Sequence, residues 1–147
     1  MIKTLNNKDQ QIAEEILAIQ VPAYEIEADL IGFHGIPQLK DTVETVMASK
    51  ENFKGFFLEH QLVGFISYEE TKSEVDICRL VVDPEYFRQG IARSLLLELI
   101  QRATGRKILV STGSKNVPAI TLYEEFGFAR YHEVEIARGI YLSQFAR

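Results

Sequence analysis

Residues 80–93 read Leu80-Val81-Val82-Asp83-Pro84-Glu85-Tyr86-Phe87-Arg88-Gln89-Gly90-Ile91-Ala92-Arg93. A β-branched run ends at a proline-marked loop, and a glycine then opens a helix. The first turn of a helix carries N–H groups without intrahelical partners and the positive end of the helix dipole, so it can hold an anion. Gly90 has no Cβ to keep a phosphate away from the backbone. Arg88 and Arg93 flank the turn and add positive charge. A lone glycine more often only permits a tight loop; the strand, the proline and the helix around Gly90 favour the anion site. Neither a G-x-x-x-x-G-K-(S or T) loop nor a G-x-G-x-x-G turn after a strand occurs. The anion site therefore belongs to neither of those nucleotide-binding classes.

This segment resembles the first signature of the GNAT acyltransferase superfamily, (Q or R)-x-x-G-x-(G or A), which follows a strand often reading L-x-V-x-P. The pattern falls on Phe87-Arg88-Gln89-Gly90-Ile91-Ala92. Gly90 and Ala92 match, and Phe87 stands where Gln or Arg is usual. A second stretch, Asn116-Val117-Pro118-Ala119-Ile120-Thr121-Leu122-Tyr123-Glu124-Glu125-Phe126-Gly127-Phe128, is similar to N-x-x-A-x-x-(L or F)-Y-x-x-x-G-F. Asn116, Ala119, Leu122, Tyr123, Gly127 and Phe128 match. Two motifs in the right order are far more specific than either alone. Both lie in the C-terminal half; the N-terminal half carries no signature.

The resemblance implies acetyl-CoA as co-substrate and an amine as acceptor. It implies that the backbone of Leu80, Val81 and Val82 pairs with pantetheine as an added strand would. The turn Phe87, Arg88, Gln89, Gly90, Ile91, Ala92 and Arg93 would hold the pyrophosphate, largely through backbone amides. Asn116 would contact the CoA arm, although a helix-cap role is compatible with the same position. Tyr123 would protonate the leaving thiolate. A phenol, with an ordinary pKa of about 10, keeps its proton at neutral pH and can do so. Some family members place a basic glutamate six residues before the strand's terminal valine. Counting back from Val82 reaches Asp76, which would act as the base through a water because aspartate is short; the alternative is a solvent-facing or salt-bridged strand aspartate. In another branch the base lies five residues before the motif asparagine; here that position is Ser111.

Other reactive types have blander alternatives. Cys78 could carry an acyl group in a ping-pong mechanism, but a small packed core residue is the better reading. His34 sits in a Gly/Pro-rich loop and reads as an ordinary loop histidine. Tyr24, Glu25 and Glu27 can line an acceptor pocket and favour a cation, although such charges usually face water.

The elements that must position these residues follow from periodicity. Residues 1–6 are expected as a short strand. Residues 8–20 have helical spacing and are expected to end or bend at Pro22, with a second amphipathic piece over 23–31 and a third helix over 41–50. Residues 53–58 and 62–68 predict a hairpin, and 75–82 a further strand. Residues 91–103 predict a helix stopped by Gly105, 107–112 a strand, and 118–126 a helix with Pro near its start. Residues 128–136 and 140–145 predict closing strands. The order of these elements gives an α/β (α+β) sheet of mixed strand direction, and the resemblance implies a single GNAT-like domain over 1–147 with that central sheet splayed around the CoA arm and flanked by helices.

Composition sets bounds. A chain of 147 residues that is 46% hydrophobic can bury one core without staples. The net charge of −5 argues against broad binding to nucleic acid. Cys78 is the only cysteine, so there is no internal disulfide and no cysteine-based zinc site; no metal is expected, and a reducing cytoplasm is. The N-terminus lacks the layout of a signal peptide, and no apolar run predicts a membrane span. The expected activity is acetyl transfer to the primary amine of a small molecule. Its rivals are a protein or peptide N-terminal acetyltransferase and an acyl-CoA-binding module without turnover. A homodimer is the assembly to look for.

Overall fold

The computed structural model describes residues 1–147. In chain order the elements are β1 (Ile2–Leu5), α1 (Gln10–Ile31), a one-turn helix (Pro37–Lys40), α2 (Val43–Ala48), β2 (Asn52–Leu58), β3 (Gln61–Glu70) and β4 (Glu74–Val82). A second one-turn helix (Pro84–Tyr86) leads to α3 (Ile91–Arg102), β5 (Lys107–Gly113), α4 (Val117–Glu125), β6 (Ala129–Ala137) and β7 (Ile140–Ala146). The strands form one sheet in the order β1-β2-β3-β4-β5-β7-β6. Every neighbouring pair is antiparallel except β4 and β5, which are parallel and joined through α3. This is the mixed sheet flanked by helices that the sequence implied.

The N-terminal half differs from expectation at two points. The two helices foreseen on either side of Pro22 are a single α1 with Pro22 inside it. Proline removes one hydrogen bond and costs about 3 kcal/mol in a helix interior. Burial outweighs that cost: Ala13, Ile16 and Ile19 before Pro22 and Tyr24, Ala28 and Ile31 after it form one buried face. Asp9 caps the helix start through Gln11 N and Ile12 N, and Gly32 ends it in the left-handed conformation at φ 72°. The third helix contracts to Val43–Ala48 because a Thr42–Thr45 capping box fixes its start.

Each face of the sheet has its own core. Ile66, Tyr68, Val75 and Ile77 pack with Leu95, Leu96 and Leu99 of α3 and with Phe128 and Phe145. Phe53, Phe65 and Val81 pack with Ala13, Ile16, Ile19 and Ala28 of α1 and Val46 of α2. A bulge lets β4 serve both. Ser67 lies opposite Arg79 while Tyr68 lies opposite Ile77, so Cys78 is the extra residue. Before the bulge Val75 and Ile77 face α3; after it Leu80 and Val82 take that face and Val81 turns to α1.

Candidate active site

β4 and β5 pair only from Glu74↔Lys107 to Ile77↔Val110. Beyond Ile77 they part, and β4 continues to Val82 with β3 as its only partner. The gap is a cleft of about 500 Å³ bounded by β4, β5, α1, the start of α3 and α4. The backbone of Cys78–Val82 is thus a sheet edge inside the molecule. Such an edge can pair with an extended ligand.

One end of the cleft is the turn before α3. Asp83 shapes it by accepting from Glu85 N at 3.0 Å. Arg88 and Gly90 both hold positive φ, 65° and 78°. Glycine adopts this freely, whereas a residue with a Cβ is strained there. Gly90 occupies the N-cap position of α3 and offers no side-chain cap. The first N–H groups of α3 therefore have no side-chain acceptor within the chain. A Cβ on Gly90 would meet no protein atom within 4 Å, so that side of the turn is open. Arg93 is ion-paired with Glu125 and lies over the Phe126 ring at 5.3 Å. Leu80, Val81, Val82, Phe87, Arg88, Gly90, Ile91, Ala92 and Arg93 all line the cleft. Gln89 does not.

At the other end sit Tyr123 and Asn116. Tyr123 is buried on α4 among Phe128 and Phe145, with ring centroids 5.6 and 6.1 Å away. Its hydroxyl has no hydrogen-bond partner in the chain, yet it is not sealed off: Glu98 Oε2 is the sole fully buried side-chain N or O atom without a partner. Burial first, then the charge of Glu27, pushes the Tyr123 phenol well above the ordinary tyrosine range. Asn116 is committed internally. Its Oδ1 accepts from Ala119 N at 3.3 Å, capping α4. Its Nδ2 donates to Glu27 Oε1 at 2.9 Å and Thr112 Oγ1 at 3.2 Å.

Glu27 is the functional candidate that sequence reasoning undervalued. It is the one carboxylate lining the cleft. Burial raises its pKa, partly offset by the Asn116 hydrogen bond. Tyr24, one turn earlier on α1, is a buried phenol also pushed upward, by burial first and Glu27 next. Their i,i+3 spacing put both on one helix face; nothing in the sequence showed that this face meets Asn116.

Several expectations need correction in place. Asp76 does not line the cleft. It is exposed, pairs in register with Glu69 and Leu109, and its pKa is raised by burial and then by Glu69 and Glu74. Glu25 is exposed outside the cleft, while Ser111 lines it. His34, in the loop after α1, meets Asp29 Oδ1 at 2.8 Å with both side chains exposed, as an ordinary loop histidine can. Cys78 is not core: it is the half-buried bulge residue at the cleft. Burial, then Glu51, Asp76 and Glu69, push its thiol up to about 12. A thiol in that range carries almost no thiolate at neutral pH.

A second charged group braces the cleft from the α1 side. Arg79, 7% exposed, donates to Glu51 Oε1 at 3.0 Å, Glu51 Oε2 at 3.3 Å, Asp41 Oδ2 at 2.8 Å and Gln20 Oε1 at 2.8 Å. Gln20 Nε2 in turn donates to Asp41 Oδ2 at 2.7 Å, and Ser67 Oγ to Glu51 Oε1 at 2.6 Å. The bulge at Cys78 turns Arg79 toward these partners and so ties β4 to α1 and to the segment before α2.

Comparison with known proteins agrees with this fold. The family model described as acetyltransferase (GNAT) family matches residues 13–128. UPF0157 protein YqkA of Bacillus subtilis (strain 168) is 45% identical over 146 residues, 99% of this chain and 43% of that protein. This chain thus spans less than half the length of that relative. The [Ribosomal protein bS18]-alanine N-acetyltransferase of Escherichia coli (strain K12) is 32% identical over 84 residues, 55% of each chain. Among solved structures, the PaiA N-acetyltransferase of Thermoplasma acidophilum in complex with coenzyme A superposes with a TM-score of 0.76 at 18% identity, over 98% of this chain and 96% of that one.

Proposed function

This chain belongs to the acetyltransferase (GNAT) family, and we propose that it moves an acetyl group from acetyl-CoA to the primary amine of a small molecule by direct attack. The observation that carries this reading is that one cleft contains the unpaired edge of β4, the uncapped start of α3 and the Tyr123 hydroxyl. Pantetheine would lie along Leu80–Val82 as an added strand, and its pyrophosphate at the turn around Gly90 beside Arg88. A backbone amide near Val81 would stabilise the oxyanion. Tyr123, its proton held by burial, would protonate the departing sulfur. Direct attack is favoured over an acyl-enzyme because the Cys78 thiol is pushed up to about 12. Residues 1–147 would act as one catalytic domain, and the single free thiol suits a cytoplasmic setting.

A small acceptor is favoured by size. A cleft of about 500 Å³ must also hold the end of the pantetheine arm, and small-molecule sites span about 300–1,000 Å³. The terminal amine of a peptide is the second reading, favoured by likeness to the E. coli alanine N-acetyltransferase. The test incubates the protein with acetyl-CoA and either putrescine, phenethylamine or an alanine-initiated peptide, following thiol release and product mass. Transfer to an amine but not the peptide is expected. Transfer to the peptide alone would replace the acceptor class. Saturable acetyl-CoA binding with no amine-dependent thiol release would make the chain an acyl-CoA-binding module.

A further inference from the structure

We propose that Glu27 is the catalytic base of this site, receiving the acceptor's ammonium group and taking its proton, with Asn116 as the positioning residue that aims it. The inference rests on the reading of the cleft as an amine acetyl-transfer site.

An amine that enters as R–NH₃⁺ must lose a proton before its nitrogen can attack. Of all the residues lining the cleft, Glu27 alone is a carboxylate. Its Oε1 is held by Asn116 Nδ2 at 2.9 Å, across 89 residues of sequence. Its Oε2 has no partner in the chain and is not sealed from the cleft. Asn116 is itself fixed at both ends, by Ala119 N and Thr112 Oγ1. The same asparagine begins the helix that carries Tyr123, so the residue that holds the base also caps the helix of the acid. Other titratable groups facing this end are Tyr24 on α1, Tyr123 on α4, and Cys78 and Arg79 on β4. The two phenols and the thiol are all raised and stay protonated. Arg79 is occupied by Glu51 and Asp41. That leaves Glu27 as the group able to accept a proton near neutral pH. Burial raises its pKa, which strengthens it as a base.

The proton balance closes. Glu27 takes one proton from R–NH₃⁺ and passes it to water. The freed nitrogen pair forms the C–N bond to the thioester carbonyl carbon. The C–S bond breaks with its electron pair going to sulfur, and sulfur takes the Tyr123 phenol proton. The phenol is restored by the second proton of the acylated nitrogen. The sum is ammonium plus thioester giving amide, thiol and one released proton.

The test uses the whole chain with acetyl-CoA and putrescine. Glu27→Gln keeps a carbonyl to accept from Asn116, so acetyl-CoA affinity by calorimetry should not change. kcat/KM should fall about 10²-fold, and the acidic limb of its pH profile should disappear. Glu27→Asp, which keeps a carboxylate, should recover part of the rate and restore an acidic limb. In the wild type, the Glu27 carboxyl titration followed by ¹³C NMR should coincide with that limb, a check that needs no variant. Normal rate and profile in Glu27→Gln, or an NMR titration away from the limb, overturns the assignment while leaving the transferase reading intact. Equal loss of rate and acetyl-CoA binding in Glu27→Gln would make the residue structural and overturn it as well. A wild type that acetylates no amine overturns both.

Discussion

Two sets of charges lie half to fully buried on the α1 side of β4, and they are built differently. Around Arg79, each charge has an opposite partner and each spare donor an acceptor: Glu51 and Asp41 face the guanidinium, and Gln20 and Ser67 complete the set. Glu27 has no cation at all. Its one partner is a neutral amide, and its second oxygen opens to the cleft. The first arrangement satisfies the desolvation cost of charge by pairing; the second leaves that cost standing. Leaving a carboxylate under-compensated is destabilising, and it is tolerable where the missing partner arrives with a substrate. The contrast assigns one group to holding the fold and the other to chemistry.

The largest effect should come from breaking the paired set. Arg79→Met strips Glu51 and Asp41 of their counter-charge and should cost about 3–5 kcal/mol in urea unfolding at neutral pH. Loss under about 1 kcal/mol would mean the cluster is not a clamp, and the contrast would collapse.

Next in size is Tyr123→Phe. The ring keeps its contacts with Phe128 and Phe145, so stability should hold. A thiol has a reference pKa of about 8.5, so its thiolate leaves without much help. Turnover should therefore fall about 10²-fold, the low end for a general acid, or about 2.7 kcal/mol. Acetyl-CoA affinity should not move. Because the phenol is raised, its protonated form persists past the ordinary tyrosine pKa. The wild-type rate should therefore show no loss from tyrosine ionisation below pH ~10. Wild-type turnover in the Phe variant would make Tyr123 a packing residue only.

Gly90→Val should weaken acetyl-CoA binding beyond the stability its strained backbone costs. A β-branched residue at φ 78° is strained and adds bulk at a position that lines the cleft. Acetyl-CoA affinity measured by calorimetry should drop about tenfold or more, about 1.4 kcal/mol. Unchanged affinity would move the pyrophosphate away from α3.

What could be read from the sequence follows the same division. The Gly90 turn and the Asn116–Tyr123 helix are written in local chemistry: a glycine that takes positive φ, an asparagine that caps, a proline just inside the helix. Their elements fall within a residue or two of expectation. Glu27 was visible only as one acid among many on α1, since its meaning comes from Asn116, 89 residues away. Arg79 was invisible as a clamp for the same reason. Counting back from Val82 reaches Asp76 outside the cleft because the count runs through the Cys78 bulge. On an unbroken strand the two would share a face; with the extra residue, Ile77 and Leu80 share one and Asp76 falls on the other. Pro22 misled because local propensity spoke against a helix that long-range burial maintains.

The smallest effect should have the opposite sign to that of Arg79→Met, and it sharpens the comparison most. Burial raises the pKa of Glu27 in the folded chain. A group raised on folding contributes stability that is fully present below its unfolded pKa and is lost as pH rises through its folded pKa. At neutral pH the wild type therefore carries the cost of an ionised, under-compensated carboxylate. Glu27→Gln removes that charge and keeps an acceptor for Asn116, although a neutral carbonyl accepts less strongly than a carboxylate. The net change should be stabilising by about 0.5–1 kcal/mol, the low end for stabilising substitutions. That corresponds to a Tm rise of about 2–4 °C per kcal/mol for a chain of this size. The gain should shrink toward zero as pH falls into the carboxylate range, where Glu27 is protonated in both states. Thermal unfolding of the two proteins across pH measures it. A Glu27→Gln protein less stable than the wild type at neutral pH would mean that Glu27 is compensated as Glu51 and Asp41 are, and the division between holding and reacting charges would be lost.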